Sequence, residues 1–251
     1  MSRNGVDWRL VVGPAIVFGL WFLLKKFFLP NDIFLPSIGK TFSEIGTIFT
    51  QDGLADLVMT LYRVIASVGI ALLLAVPSGL ILGYHTSLYR QLEIVIDFFR
   101  SVPATAFFPL FILAFGIGNT SIIALSSFVC FWMILVNSIY GVWNCPKTRI
   151  KIAKSLGAGT YFLFNRIIVF DALPQILIGL RLSLSLSLVI VIVSEMLMGT
   201  KYGLGRIVYE GYATYQYARL YGGILLIGTI GYLINKITVS MERHLVHWIG
   251  H

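Results

Sequence analysis

Three ionisable residues stand where such residues are rare. Arg63 heads an uncharged run from Val64 to Tyr84, and Arg181 and Glu195 flank the apolar run "LSLSLSLVIVIVS". Charged groups in apolar surroundings pair with one another, face water or mark a functional path. On a helix Arg181 and Glu195 fall within about 40° of one another but roughly 21 Å apart along the axis, so they cannot pair directly. Each needs another partner or water. Along the same helix runs a stripe of mainly small and hydroxyl residues: Gly179, Ser183, Ser187, Ser194 and Met198 share a sector of roughly 100°. Such a stripe either lets helices approach closely or offers a polar path to a solute. Hydroxyls that bond their own i−4 carbonyl are cheap to bury, which suits both readings. The candidate path residues are therefore Arg63, Arg181, Ser183, Ser187, Ser194 and Glu195, and two arginines near a path would favour an anion.

Other chemistry has little footing. His244, His247 and His251 follow helical spacing, but an amphipathic interfacial tail explains them better than a metal site. Cys130 and Cys145 suggest neither a disulfide framework nor a zinc site. No Gly-x-x-x-x-Gly-Lys-Ser/Thr phosphate loop is present, so any ATP must be handled by a partner. A membrane enzyme would cluster His, Asp or Glu, as in His-Glu-x-x-His. An ion-coupled carrier would place acids within broken spans. Neither pattern occurs in the sequence.

The elements that position these residues must be membrane helices. The 251 residues are 57% hydrophobic and 12% charged, against roughly 25% charged in soluble domains. From Ser101 to Pro146 no Asp, Glu, Lys or Arg occurs. As one helix this run would be about 69 Å long, twice a hydrocarbon core, so it turns back at "FGIGNTS", Phe115 to Ser121. The Leu–Ser alternation is strand-like, yet an open strand in lipid leaves backbone groups unpaired. A barrel would need many such segments, and one is found. The fold class is all-α, a single polytopic domain over residues 1–251. Six spans are expected at about Leu10–Leu29, Leu57–Tyr84, Phe98–Phe115, Thr120–Val142, Pro174–Met198 and Leu220–Met241. The first is read as a retained helix, since Arg3 and Arg9 are followed by no small-x-small cleavage site.

Lys and Arg set the orientation. With the N-terminus inside, eleven basic residues fall in inner segments and seven in outer ones, leaving Arg181 within a span. Both termini are then cytoplasmic, and the +8 net charge needs no nucleic-acid partner. Asp97 and Arg100 read as solvated inner-surface charges. The five basic residues between Lys147 and Arg166 make the inner loop, "CPKTRIKIAKSLGAGTYFLFNRIIVFDALPQ", the most informative segment. Ile152, Ala153, Leu156 and Gly157 share one face of a short helix, Gly157 and Gly159 permit a sharp turn, and Pro174 suits the start of the next helix. On spacing alone, such a helix fits either a groove on a partner or anionic lipid headgroups.

That loop resembles the cytoplasmic loop of bacterial ABC importer permeases of the binding-protein-dependent type I fold. The family pattern is Glu-Ala-Ala, three residues, Gly, nine residues, Ile, one residue, Leu-Pro. Lys151, Ile152 and Ala153 stand for Glu-Ala-Ala, Gly157 for the glycine and Ile167 for the isoleucine. Val169 and Phe170 replace the Leu-Pro, with a second Leu-Pro at Leu173 and Pro174. "FLPSIGKTFSEI", "TLYRVIASVGIALLLAVPSGLILGY", "FFRSVPATAFFPLFILAFGIGNTS" and "GTKYGLGRIVYEG" are similar to the branch importing nitrate, bicarbonate, taurine and alkanesulfonates. The resemblance implies a permease subunit in the bacterial inner membrane that moves a small anion and has no cofactor of its own. It implies two ATP-binding ABC subunits carrying ATP and Mg, a second permease copy, and an extracytoplasmic solute-binding protein. Residues 145–171 would form the coupling loop, with Lys151, Ile152, Ala153, Leu156, Gly157 and Ala158 contacting the ATPase.

Overall fold

The computed structural model describes residues 8–28, 31, 34–50 and 53–245. Among them there are helices and no strands. The order is α1 (Trp8–Phe27), α2 (Ile38–Thr50), α3 (Gly53–Tyr84), α4 (Thr86–Ser101), a tighter turn over Ala104–Phe107, α5 (Phe108–Phe115), α6 (Asn119–Trp143), α7 (Lys147–Ser155), α8 (Thr160–Met198), α9 (Leu204–Ala213) and α10 (Tyr217–Leu245). α3, α6, α8 and α10 are each long and apolar enough to cross a membrane, and the bent α4–α5 pair adds one span if taken together. That makes four or five such spans against the six expected, the 20-residue α1 not being among them.

The "LSLSLSL" run lies wholly within α8, so its alternation is helical sequence, not a strand. Small residues explain why α3, α6 and α8 form the centre. Ser67, Ala71, Ala75, Gly79 and Gly83 recur every fourth residue along α3 and are all buried. Residues four apart stack on one helix face, and small ones let two backbones close in. A Cβ built on Gly79 would stand 2.5 Å from Ser138 Cβ, and one on Gly83 would stand 2.7 Å from Val142 Cβ. α6 therefore lies hard against α3. On its other side α6 meets the Gly179–Ser183–Ser187 stripe of α8. Gly179 abuts Asn137, and Ser187 Oγ and Ser126 Oγ share a hydrogen bond of 2.8 Å.

Two spans differ from expectation. The third is not a straight Phe98–Phe115 helix: α4 and α5 meet at 92°. Val102 and Pro103 adopt extended backbone, because the residue before a proline is pushed out of the helical region. The fifth helix begins at Thr160, well ahead of Pro174, which lies inside it. Wider π turns over Leu163–Ile168 precede that proline. At 39 residues α8 is about 58 Å long, so it projects well beyond a hydrocarbon core.

Candidate functional site

At the end of the bundle opposite α7, the isolated charges of the sequence form one buried network. Asp56, Thr60 and Arg63 sit at i, i+4 and i+7 on α3, hence on one face. Glu195, fully buried near the end of α8, accepts from Arg63 Nη1 at 2.5 Å and from Thr60 Oγ1 at 2.9 Å. Arg63 spends its remaining donors on Tyr202 O (2.9 Å) and on Asn119 Oδ1 (2.7 Å from Nη2). The same side chains close the N-terminus of α9, where the first N–H groups lack helical partners. Gly203 N–H donates to Asp56 (2.7 Å), Leu204 N–H to Thr60 (2.9 Å) and Gly205 N–H to Glu195 (2.9 Å). Gly203 is required twice over: its φ is +148°, and a Cβ there would stand 2.5 Å from Glu195 Oε2. Arg206 completes the network on Asp56 (3.0 Å) and Glu210 (2.6 Å). Burial pulls the Arg206 guanidinium towards losing its proton, but the bonds to Glu210 and Asp56 outweigh this and hold it above its ordinary range.

The candidate path residues are thus largely occupied. Arg63 and Glu195 pair with each other, while Arg181 pairs with Glu242 of α10 at 3.2 Å. Ser187 bonds Ser126, and Ser183 lies against the backbone of Cys130 (3.5 Å). Arg63, Glu195, Ser183 and Ser187 are buried within the chain, and Ser183 and Ser187 lie where α8 packs against α6, while Arg181 keeps a partly exposed side chain. Ser194 differs. Its buried hydroxyl has no hydrogen-bond partner among the described residues, and it borders a cavity of about 130 Å³.

At the other end, α7 closes on a well-formed turn. Gly157 N–H bonds Lys154 O, Ala158 N–H bonds Ala153 O, and Gly157 has φ +81°. This pairing satisfies the last carbonyls and needs a left-handed residue at Gly157. Gly159, at φ −71°, is ordinary extended backbone and contributes no special turn. Ile150 faces the core, packed with Cys145, Ile168 and Ala172, and Arg149 pairs with Asp171 of α8. Asp171 also accepts from Cys145 Sγ at 3.0 Å. Burial first, and then Asp171, push the Cys145 thiol up to about 12, so it stays protonated near neutrality. On the outward side Ile152 is 56% exposed and Leu156 82%, beside exposed Lys151 and Gly157, with Ala153 and Ala158 half-buried. This is a firmly anchored helix with an unpartnered apolar tip.

Asp97 and Arg100 are exposed, as the sequence suggests, but lie farther along the bundle than a straight third helix would put them. α4 climbs along α6: Tyr89 packs on Trp143 with ring centroids 4.8 Å apart, and ten residues later Phe99 stacks on Trp132 at 5.0 Å. Trp132 is eleven residues from Trp143 along α6, about 16 Å of rise. The two charges therefore stand near the level of Trp132, about 16 Å along α6 from Trp143, and both remain exposed. The bend at Pro103 leaves α4 as half a span, which a straight third helix conceals. Sequence reasoning also missed Asp56, Thr60 and Asn119. The i, i+4, i+7 spacing of Asp56, Thr60 and Arg63 was the signal available.

No group of three His, Cys, Asp or Glu able to hold a metal gathers among the described residues. His247 and His251 lie outside the described residues. A bundle of membrane-length helices with one anchored, projecting helix between two spans defines an integral membrane protein. More particularly, residues 67–251 match the model of the family "Binding-protein-dependent transport system inner membrane component", and the chain belongs to that family. It is the permease component of an ABC importer. It is 28% identical over 242 residues to the taurine transport system permease protein TauC of Escherichia coli, covering 94% of this chain and 88% of that one. A second relative is the putative aliphatic sulfonates transport permease protein SsuC of Bacillus subtilis, at 28% identity over 94% of this chain and 85% of the other. The bicarbonate transport system permease protein CmpB of Synechococcus elongatus is 24% identical over 75% of this chain and 68% of its own length. The fold is that of a chain from inward-facing structures of the MetNI methionine ABC transporter. The TM-score is 0.68 at 19% identity, covering 77% of this chain and 95% of that one.

Proposed function

We propose that this permease imports a small anion such as nitrate, bicarbonate or a sulfonate, by alternating access driven by two ATP-binding subunits. ATP and Mg are held by those partners, and an extracytoplasmic solute-binding protein delivers the cargo to a pair of identical permease chains. The α7 end and both termini face the cytoplasm, as the basic residues of α7 favour. The ATPases dock on residues 145–171, with Lys151, Ile152, Ala153, Leu156, Gly157 and Ala158 at the contact.

One observation carries this reading. Leu156 and Ile152 stand exposed at the tip of a helix that is fixed to the bundle by Ile150, Arg149 and Asp171. A rigid base and an apolar tip suit a part that fits a groove and transmits displacement. Headgroup binding would need the basic residues alone and gives the exposed leucine no task. The test is Leu156→Asp, with Lys151→Gln/Lys154→Gln as the contrast. Leu156→Asp is expected to abolish ATPase co-purification and solute-stimulated hydrolysis in proteoliposomes while membrane insertion stays intact. The lysine variant retains both. Normal coupling in Leu156→Asp would reject α7 as the docking element.

A further inference from the structure

One face of α4 is satisfied by neither water nor lipid alone. Arg90, Glu93, Asp97 and Arg100 recur at intervals of three, four and three, so they form one charged stripe, and all four are exposed. Beside the stripe stand Ile94 and Phe98, an apolar i, i+4 pair that is 81% and 60% exposed. Lipid would strand the charges, since ionisable groups within a membrane turn to water or to protein partners. Water would leave the apolar pair uncovered. A protein surface that carries both features answers both.

The charges themselves are underused. Asp97 and Arg100 are separated by 3.6 Å, too long for a good hydrogen bond, and their side chains are 63% and 43% exposed. Arg90 and Glu93 form no ion pair with any described residue. The order along the stripe is basic, acidic, acidic, basic, which is complementary to a copy of itself. Two copies inserted in the same orientation are related by a two-fold axis along the membrane normal. α4 runs beside the membrane-length α6, with Tyr89 against Trp143 and Phe99 against Trp132. Two α4 helices that face each other across that axis are therefore parallel, with equal residue numbers at equal depth. Asp97 then differs in height from Arg100 of the partner subunit by about 4.5 Å, within reach of the two side chains. Arg90 and Glu93 stand in the same relation.

We infer that this face of α4 docks on the same face of a second copy, through reciprocal Asp97–Arg100 and Arg90–Glu93 ion pairs between the chains, and that these pairs form a latch that parts during transport. Exposed ion pairs are individually weak, so they can break and re-form in each cycle. The buried Arg63–Glu195 pair cannot. This docking rests on the reading above that identical chains pair, and adds the face and the contacts by which they close.

The test uses the permease–ATPase complex in proteoliposomes, with two differently tagged permease chains co-expressed and isolated through both tags. Asp97→Arg alone sets basic groups against basic groups across the axis, and Arg100→Asp alone sets acids against acids. Each is expected to lower pairing of the tagged chains and ATP hydrolysis at least about tenfold. An Asp97→Arg chain combined with an Arg100→Asp chain restores opposite charges only between chains, because positions 97 and 100 within each chain then carry like charges. That mixture is expected to recover both readouts to within about twofold of wild type. A mixture no better than either variant alone would overturn the docking. Ile94→Cys keeps all four charges and places a thiol beside the stripe; Cys130 and Cys145 are buried, so the unmodified chain is the control. A short, reducible bis-methanethiosulfonate is expected to link the two copies and stop ATP hydrolysis, which returns on reduction. No linked dimer, or full hydrolysis while linked, would overturn the latch, and this tether stands even if a charge variant fails to assemble. An import reading that fails shows itself separately, as wild-type chains that do not co-purify with the ATPase.

Discussion

Deleting the Glu195 carboxylate is expected to be among the most damaging single changes in the chain. Glu195→Ala removes the counter-charge of Arg63, which is 2% exposed, and the acceptor of Thr60 and the Gly205 N–H. An uncompensated buried charge costs about 3–5 kcal/mol. An orphaned N–H adds roughly 1 kcal/mol, giving about 4–6 kcal/mol in all. Arg63→Ala should cost a similar amount, because it strands Glu195 and leaves Asn119 and the Tyr202 carbonyl without their donor. Glu195→Gln keeps the shape and an acceptor but loses the charge, for about 1.5–3 kcal/mol. Arg63→Met/Glu195→Met should recover much of the loss, because no charge remains to be stranded. Denaturant titration in detergent, followed by tryptophan fluorescence, measures the cycle. A coupling energy of about 3 kcal/mol is expected, and strictly additive single changes, or losses under about 1 kcal/mol, would refute the network as a structural lock.

Three further outcomes follow from the same geometry. Ser183→Ala and Ser187→Ala should each lower stability by about 1 kcal/mol and leave uptake KM unchanged; a shifted KM would return the stripe to the solute path. Gly79→Leu should block assembly of the α3–α6 pair, since even one Cβ meets Ser138 at 2.5 Å, an overpacking cost of at least about 1–3 kcal/mol; a stable, fully folded variant seen by size-exclusion chromatography would contradict that packing. The Cys145 thiol, with its pKa pushed up to about 12, should alkylate slowly at pH 8. Asp171→Asn removes a group that favours the protonated thiol and should speed the reaction with iodoacetamide, whereas an unchanged rate would assign the protection to burial alone.

Most of the spans, the all-helical fold and the α7 turn were legible because each depends on local pattern: uncharged length, or a glycine after an amphipathic run. Gly157 could be read directly, since a left-handed cap needs a residue that tolerates positive φ. The 92° bend at Pro103 and the early start of α8 were not legible. A proline marks a break or sits within a helix depending on tertiary contacts, and Pro103 and Pro174 took opposite courses. The partners of Arg63 and Glu195 lie 132 residues apart, a distance that periodicity does not bridge. That Glu195 would not pair with Arg181 was legible, because the rise of one helix decides it. The packing role of Ser187 emerged only with Ser126 opposite it, since a stripe of hydroxyls looks the same whether it meets a helix or a solute.

Dependence on companion ATPases is tested most directly by uptake into proteoliposomes containing the permease, with and without the ATP-binding subunits. With ATP, those subunits and the solute-binding protein, solute should accumulate; with the permease alone under a proton or sodium gradient, none should. Accumulation by the chain alone would contradict the whole assignment of α7 as the site through which an external motor acts.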